Sequence, residues 1–385
     1  MPPHARLRGI ARMRAEAGLT TFIRATRQLA GRYARRSHLL VIGVVMLPGL
    51  AAYLASHRNP GALLQARINA SANARLVIPA GTYATGGLRC VSNLIIESDG
   101  PVVLTSDTEA PILDLSHCSN VSLRGDFTLI GKAPSYTGHT TQIGPAAGGQ
   151  TGIKLDHSER ISIEGRIEIR NIAGTCLDAQ SSLAWQSVAL IRGLIVNHCY
   201  RGIHLHDAAE YMTFSDFNAF NNVYGVVVES GNNTFSNGKV VYNSVAIRLA
   251  GGTNHAHGIF TAVEANHNAI NLQVQDVTLG QTFLGCHFIG DQAGGGGSRI
   301  ELIASKGVNI VGGQIGSDIS LDAGSQLSLQ SNYIRTDITN APRVEAGSLL
   351  IARDNFGPAG PWASNSRSAP SGGFDNEPAR RLSRP

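Results

Sequence analysis

Apolar residues recur in this chain in short segments where a small or polar residue precedes an apolar, a variable and a second apolar position. Eight such segments begin 19 to 30 residues apart: Gly152–Leu155, Gly174–Leu177, Gly202–Leu205, Gly225–Val228, Ala246–Leu249, Ala269–Leu272, Arg299–Leu302 and Asp318–Leu321. A period of twenty-odd residues is typical of a solenoid, in which each repeat buries its apolar face against its neighbours. We therefore predict an all-β fold, a parallel β-helix of about ten coils.

The sequence also predicts a second strand in each coil and a helix that closes the first end of the β-helix. A second strand is predicted between successive segments, for example at 161–163 and 308–310, where apolar and polar residues alternate. Asn59 is a candidate N-cap and Pro60 a favourable first position for a short helix over 60–68. Because an open solenoid end must be covered, we expect this helix to cap the first coil near residues 60–73.

Asparagines recur three residues before the opening residue of several segments. These positions are Asn171, Asn222, Asn243 and Asn266, and Cys199 takes the same place in one coil. Stacked Asn side chains can hydrogen-bond to one another along a stack of strands. We predict that they form an inward structural ladder at a corner and do not bind a ligand.

Aligning the segments places their polar side chains in outward columns. The residue between the two apolar positions points outward, as does the residue after the second. The first column then contains Lys154, Cys176, His204, Val227, Arg248, Asn271 and Glu301. The second column contains Asp156, Asp178, His206, Glu229, Ala250, Gln273 and Ile303, and Asp207 and Glu210 follow directly at its edge.

This clustering of carboxylates suits the hydrolysis of glycosidic bonds. That reaction needs one protonated carboxyl and one carboxylate, and neighbouring carboxylates raise the pKa of one of them. We predict Asp178 and Glu229 as the acid and base, with Asp156 and His206 tuning or orienting them. Lys154, His204, Arg248, Asp207 and Glu210 are the predicted substrate-binding residues, and neither a metal nor a cofactor is required.

Two other functions use the same face. A polysaccharide lyase would take Lys154, His204, His206 or Arg248 as base or neutralising cation, with Ca²⁺ held by Asp156 and Asp178. A non-catalytic solenoid that binds polysaccharide would present a mixed charged face without chemistry. Unsaturated products would reveal the lyase, and binding that survives the loss of Asp178 and Glu229 would reveal the binding module.

The start of the body resembles a known group of folds. Leu76-Val77-Ile78 leads into Pro79-Ala80-Gly81-Thr82-Tyr83, and a Gly-rich step and Ser92-Asn93 precede Leu94-Ile95-Ile96. This entry resembles right-handed parallel β-helices of the pectate-lyase-like superfamily, which includes polygalacturonase-related proteins and phage tailspikes. The resemblance covers about residues 59–355 and implies a right-handed helix that acts on a polysaccharide.

The resemblance does not extend to the catalytic motifs of a particular family. Polygalacturonases carry Asn-Thr-Asp, Asp-Asp, Gly-His-Gly and Arg-Ile-Lys strings, and none of them is present here. The Asp-Pro-His-Asp string of β-helix alginate epimerases is also missing. The resemblance therefore implies a carbohydrate-active β-helix without implying pectin as the substrate; we expect a bacterial exopolysaccharide.

Charge is unevenly distributed along the chain. The net charge is +5, but residues 1–37 hold nine Arg and one Glu, and residues 356–385 hold four Arg, one Asp and one Glu. The body, 38–355, therefore carries a net charge of −5, which argues against nucleic acid as a partner. The tail from 356 is rich in Pro, Ser, Gly and Arg, which predicts disorder.

The N-terminus predicts export across a membrane. Residues 39–55 are free of charged side chains and follow the Arg-rich leader. An excess of Arg before an apolar run places the N-terminus in the cytoplasm and the body on the far side. We predict a leader (1–37), an inner-membrane anchor or cleaved signal (38–56), a periplasmic or secreted β-helix (57–355) and the tail (356–385).

The five cysteines are an odd number without CxxC spacing. We expect most of them to be buried free thiols rather than disulfides or metal ligands.

Overall fold

The chain is described by a computed structural model covering residues 60–132, 136, 146, 148–182, 188–251, 256–290, 298–322, 324–335, 342–358 and 360–361. One helix, α1 (Pro60–Ala70), is followed by strands only. No helix within these residues is long and apolar enough to cross a membrane. The predicted leader, the segment 39–55 and most of the predicted tail lie outside the described residues.

The strands are short and numerous. In chain order they are β1 (Arg75–Ala84), β2 (Leu88–Arg89), β3 (Leu94–Thr105), β4 (Leu113–Asp114), β5 (Ser119–Ile130), β6 (Thr151–Asp156), β7 (Glu159–Arg170), β8 (Thr175–Ser181), β9 (Ala189–Asn197), β10 (Arg201–Asp207), β11 (Met212–Ser215), β12 (Asn218–Phe220), β13 (Tyr224–Val228), β14 (Asn233–Ser236), β15 (Lys239–Val241), β16 (Val245–Ala250), β17 (Gly258–Thr261), β18 (Glu264–Asn266), β19 (Ile270–Gln275), β20 (Gln281–Leu284), β21 (His287–Ile289), β22 (Arg299–Ile303), β23 (Val308–Val311), β24 (Gln314–Gly316), β25 (Asp318–Leu321), β26 (Gln326–Gln330), β27 (Tyr333–Ile334), β28 (Arg343–Val344), β29 (Leu349–Arg353), β30 (Phe356–Gly357) and β31 (Gly360–Pro361).

These strands stack into a parallel β-helix of about ten turns, as the repeat predicts. One sheet contains eleven strands, one from each turn, in the order β2-β4-β6-β8-β10-β13-β16-β19-β22-β25-β28. The other strands join a second, twenty-stranded sheet. Each early turn contributes one long strand to this sheet, such as β7. Each later turn contributes two short strands, such as β11 and β12, which both pair with β9.

Helix α1 covers the open edge of the first turn. Its Leu64 and Ile68 are buried in the same apolar core as the strands. The side chain of Gln65 accepts a hydrogen bond from the backbone N–H of Arg89 and donates one to its carbonyl, at 2.7 and 2.9 Å. The helix therefore pairs with backbone groups on β2 that have no strand before them.

The interior contains ladders of identical side chains. Phe214, Phe235, Phe260 and Phe283, on four successive turns, stack with ring centroids 4.8, 4.6 and 5.0 Å apart. Their repetition follows from the parallel register, which places the same position of each turn 4.7–4.9 Å from the next.

The predicted asparagine ladder exists, with two of its members corrected. Asn222 and Asn243 are fully buried, and the Asn222 side chain donates to Asn243 Oδ1, which also accepts from the Asn222 backbone N–H. Asn243 makes the same pair of bonds to Asn268. Asn171 and Asn266 are only half-buried, because the inward position is one or two residues further along the corner.

Cys176 and Cys199 form a disulfide, with their Cα atoms 5.9 Å apart. Cys90, Cys118 and Cys286 are free, and the latter two are buried. Burial also raises the pKa of the Cys286 thiol to about 11. The expectation of mostly free, buried thiols thus holds for two of the five cysteines, since Cys90 is free but only half-buried.

The β-helix runs past its predicted end at residue 355. Strand β30 continues the stack by pairing Phe356 with Tyr333, and β31 folds back antiparallel to it.

Candidate active site

The register of the eleven-stranded sheet corrects the predicted columns at β8 and β19. Lys154 lies opposite Asp178, and Asp178 lies opposite His204, so Asp178 belongs to the first column. The apolar positions on β8 are Leu177 and Ala179, both fully buried, rather than Leu177 and the residue two before it. A shift of two residues keeps Asp178 outward, but changes its neighbours.

The same shift moves other assigned residues. Cys176 is buried in the disulfide and does not point outward. On β19, Gln273 lies opposite Arg248 in the first column, and Asn271 is fully buried. The side chain of Gln180, which the alignment missed, occupies the second column between Asp156 and His206.

At the centre of the outward face, His204 links two carboxylates. Its Nδ1 lies 3.0 Å from Asp178 Oδ1, and its Nε2 lies 3.5 Å from Glu229 Oε2. Asp178 comes from β8, His204 from β10 and Glu229 from the residue after β13, so three successive turns supply the three groups. The predicted acid/base pair is thus brought together, one imidazole ring apart.

His206 extends this cluster along the same strand. Two residues after His204, it points to the same face, and the two rings stack with centroids 4.4 Å apart. Its Nε2 lies 3.5 Å from Asp178 Oδ1, and its Nδ1 lies 2.8 Å from Asp207 Oδ2. Asp207 therefore contacts the cluster through His206, while its own side chain is mostly exposed.

The electrostatics of the cluster differ from the sequence expectation. Burial acts to raise the pKa of Asp178, but the hydrogen bonds and charges of His204 and His206 outweigh it and hold that pKa far below its usual range. The hydrogen bond with His204 lowers the pKa of Glu229, against burial, with a contribution from Arg248. Both carboxyls are ionised at neutral pH, because histidines separate them and no carboxyl repels its neighbour.

The pKa of His206 is shifted in the opposite direction to those of the two carboxyls. Burial acts to lower the pKa of His206, but Asp178 and Asp207 raise it above its usual range. The cluster therefore combines two ionised carboxylates with a ring that favours positive charge.

Asp156 lies at the edge of the cluster and has partners of its own. Its carboxylate is 3.6 Å from Lys154 Nζ and contacts the ring of His157, which the sequence reasoning missed. Burial acts to raise the pKa of Asp156, but hydrogen bonds from Gln180 and His157 and the charge of Lys154 hold it below its usual range. The correct register of β8 would have identified Gln180, because it follows Asp178 by two.

Of the remaining predicted binding residues, Arg248 lies on the outward face and Glu210 lies in the interior. The Arg248 guanidinium lies 5.6 Å above the ring of Tyr224 and donates to Gln275 at 3.4 Å, next to the buried Val227. Glu210, predicted at the edge of the face, is instead buried and accepts a hydrogen bond from Asn232 at 2.8 Å. The backbone turns at the left-handed residue Asp207, and the structure places Glu210 in the interior instead of on the outward face.

The predicted Ca²⁺ pair is not supported by this arrangement. Ca²⁺ takes six to eight oxygen ligands, whereas Asp178 is surrounded by imidazole nitrogens and Asp156 by Lys154, His157 and Gln180. The donors present do not fit Ca²⁺.

Comparison with solved structures agrees with the fold. The A-module of Azotobacter vinelandii mannuronan C-5 epimerase AlgE4 superposes with a TM-score of 0.53 at 15% identity, over 82% of this chain and 96% of that one. The AlgE6 A-module gives 0.49 at 15% identity, over 78% and 86%. The catalytic unit of a GH87 alpha-1,3-glucanase from Streptomyces thermodiastaticus gives 0.47 at 12% identity, over 79% and 67%.

At 15% identity the likeness to the AlgE4 A-module supports the fold alone, and the strand order shows that the chain is a parallel β-helix. No protein-family model and no curated protein matches the sequence.

Proposed function

We propose that the protein is a carbohydrate-active enzyme that cleaves glycosidic bonds in a polysaccharide by hydrolysis. The observation that carries this proposal is the convergence of Asp178 and Glu229 on the ring of His204, on the open face of the eleven-stranded sheet. A long, regular face of stacked strands suits an extended polymer, and acid–base groups at its centre suit cleavage within that polymer.

We propose Glu229 as the base that activates water. Its side chain is 35% exposed, against 17% for Asp178, so Glu229 is the carboxylate that a substrate on the face meets. An ionised carboxylate can accept a proton from water as the water attacks the anomeric carbon. Asp178, which is more buried, holds the two histidines.

The lowered pKa values of Asp178 and Glu229 favour their ionised forms, so we do not assign the acid to either of them. The positively charged group that assists the leaving oxygen, while Glu229 acts as base, is therefore the His204–His206 pair or a cation that this pair binds. Lys154 and Arg248, one on each side of the cluster in the first column, are the candidates for binding sugar hydroxyls or carboxylates.

A lyase is the second candidate, and the cations beside the cluster favour it. Arg248 and Lys154 could neutralise a uronate carboxylate during β-elimination. Against this, Asp178 and Asp207 raise the pKa of His206, one of the predicted lyase bases, which favours the protonated ring that cannot accept a further proton. Hydrolysis is the reaction that we prefer.

The test is depolymerisation of a panel of acidic and neutral bacterial polysaccharides by the full-length chain. New reducing ends without ultraviolet absorbance of unsaturated uronates would support hydrolysis, and absorbance would establish the lyase. A protein that binds glycans, forms no product and binds equally well as Asp178→Asn and Glu229→Gln would be a binding solenoid.

We also propose that the β-helix lies outside the cytoplasm, held by residues 39–55 in the inner membrane or released from them. The Arg-rich leader before this apolar run supports export. The disulfide between Cys176 and Cys199 supports an oxidising compartment. Protease added to spheroplasts should digest the β-helix while leaving cytoplasmic markers intact; protection of the β-helix would contradict the proposal.

A further inference from the structure

The four ring nitrogens of His204 and His206 all face carboxylate oxygens. His204 lies between Asp178 and Glu229, and His206 lies between Asp178 and Asp207. A carboxylate only accepts hydrogen bonds, so a nitrogen facing it must carry a proton or share a cation with it. The two rings stack with their centroids 4.4 Å apart, so several nitrogen and oxygen donors lie in a small volume.

The inner nitrogens converge on a single oxygen. His204 Nδ1 lies 3.0 Å and His206 Nε2 lies 3.5 Å from Asp178 Oδ1, and the three ligand atoms all lie within 4.8 Å of one another. Zinc binds His nitrogen at about 2.0–2.1 Å and carboxylate oxygen at about 2.0–2.2 Å, which sets its ligand atoms about 3–3.5 Å apart. The two nitrogen–oxygen separations have this spacing, and one donor atom from each of the three residues lies within 4.8 Å of the others.

The outer nitrogens have the partners that metal-binding histidines require. His206 Nδ1 donates to Asp207 Oδ2 at 2.8 Å, and His204 Nε2 is 3.5 Å from Glu229 Oε2. A carboxylate on the outer nitrogen places the proton there and leaves the inner nitrogen with a free lone pair. The two histidines use opposite ring nitrogens toward Asp178, and each has its own outer carboxylate.

The fold holds these ligands rigidly and leaves one side open. Asp178 and His204 are register partners on β8 and β10, and His206 follows on the same strand. Their side chains are 10–20% exposed, so the group is mostly buried and keeps a small solvent-exposed surface. Three protein ligands with an open position is the arrangement of catalytic rather than structural zinc sites.

The surrounding charge also favours a cation. Asp178, Asp207 and Glu229 are three carboxylates around two rings, and Lys154 is directed to Asp156, 3.6 Å away. Arg248 contributes positive charge on the Glu229 side only. Two imidazoles and one carboxylate select zinc-like transition metals over Ca²⁺ and Mg²⁺, which prefer oxygen.

We propose that Asp178, His204 and His206 form a mononuclear site for a divalent transition metal of the zinc class, open toward the face that Glu229 lines. The site goes beyond the proposed hydrolysis, and a bound ion would add a positive charge beside Glu229 at the centre of the face.

To test this, the full-length chain is first stripped of metal with a chelator. Zn²⁺ binding is then measured by calorimetric titration, and the bound metal is counted by elemental analysis after desalting. We expect one Zn²⁺ per chain. His204→Gln and His206→Gln should each weaken binding at least about 100-fold, and Asp207→Asn, which alters only an outer partner, about 10–100-fold. The matched control is His287→Gln, an exposed histidine on β21 of the other sheet, which should bind as the unaltered chain does.

Other results would overturn the site. Absence of stoichiometric Zn²⁺, or equal binding by His204→Gln and His206→Gln with folding confirmed by circular dichroism, would refute it. Ca²⁺ binding as tightly as Zn²⁺ at these residues would contradict the selectivity argument. Asp207→Asn keeps all three ligands, so its intermediate effect tests the site even if a ligand variant fails to fold.

The outcomes separate this site from the proposed hydrolysis. Zn²⁺ that binds at these residues to a protein without activity on any glycan would leave the site standing and refute the hydrolase. Glycan cleavage by the chelated chain without Zn²⁺ binding would refute the site and leave the histidines as the acid.

Discussion

Glu229 contacts the same imidazole ring as Asp178, although the two carboxylates come from turns that are not adjacent. His204 on the intervening turn lies 3.0 Å from Asp178 and 3.5 Å from Glu229. A parallel β-helix produces this arrangement because equivalent positions of successive turns form a continuous column. The distance that separates catalytic groups in such a fold is thus set by the number of turns between them and by the side chain that fills the gap.

Replacing Glu229 by Gln should remove the base while preserving the shape of the face. General base catalysis contributes about 10²–10⁴-fold, so the rate of reducing-end formation should fall by that factor. Glu301→Gln is the matched control, because Glu301 occupies the first column three turns further along, where it accepts from Gln273 at 3.2 Å. Equal losses in both variants would contradict the assignment of Glu229.

The Asn ladder should be a major source of stability. Asn243 accepts from the backbone and side chain of Asn222 and donates to Ala219 and Val241. Asn243→Ala leaves buried donors and acceptors without partners, at about 1–3 kcal/mol each, so we expect a loss of at least about 2–4 kcal/mol. The urea midpoint measures this loss. Asn309→Ala, which loses one exposed bond to Gly307, should change the midpoint little.

The phenylalanine stack should behave as a continuous core element. Phe235 is fully buried between Phe214 and Phe260, with centroids 4.8 and 4.6 Å away. Phe235→Ala should cost about 3–5 kcal/mol through lost burial and the cavity left behind. Phe356 on β30, which contacts Tyr333 and lies outside this stack, is 52% exposed, and Phe356→Ala should cost far less. Similar denaturant midpoints for the two variants would show that the stack does not carry the stability assigned to it.

The repeat predicted the solenoid because every turn shows the same inward apolar positions. The period is read from many turns together, so a misaligned segment in one turn does not change the predicted fold. The site depends on single turns, where one misplaced segment changes the neighbours of a side chain. At β8 the inward residues are Leu177 and Ala179, and an alanine is too weak a signal to mark an apolar position beside Cys176. Asp178 was therefore placed beside Asp156 instead of Lys154 and His204.

The pKa directions failed for the same reason. With Asp178 placed next to Asp156, repulsion between carboxylates predicted a raised pKa, whereas the histidines that flank Asp178 lower it. The burial of Glu210 depends on the turn after Asp207, whose left-handed backbone no periodicity reports. The columns were predicted correctly at His204 and Arg248, where large apolar residues flank the outward position, but Ile270 and Leu272 also flank Asn271, which is buried, so such flanking residues alone do not fix the register.

Loss of the disulfide should destabilise the β-helix. Cys176 and Cys199 are separated by 23 residues, and closing a loop of this size stabilises a protein by about 3 kcal/mol. A Cys176→Ala/Cys199→Ala variant should lower the urea midpoint, and a reducing agent should lower the midpoint of the unaltered chain only. Cys286→Ala, which removes a buried free thiol, is the control. A midpoint of the unaltered chain that does not respond to reduction would argue against the bond.

The interactions of Asp156 should make stability depend on pH at the acid end. Its pKa is lower in the folded chain than its ordinary value, so the unfolded chain binds more protons as the pH falls. The contribution is fully present above the unfolded value of about 3.9 and is lost as the pH falls through the folded value. Asp156→Asn removes the ionised partner of Lys154 and His157, and should destabilise the chain by an amount that is constant above about pH 5 and shrinks below about pH 4. Urea midpoints across this range measure it, with Asp107→Asn at an exposed turn as the control. A difference between Asp156→Asn and the unaltered chain that stays constant down to pH 3 would mean that the carboxylate gains nothing from its partners on folding.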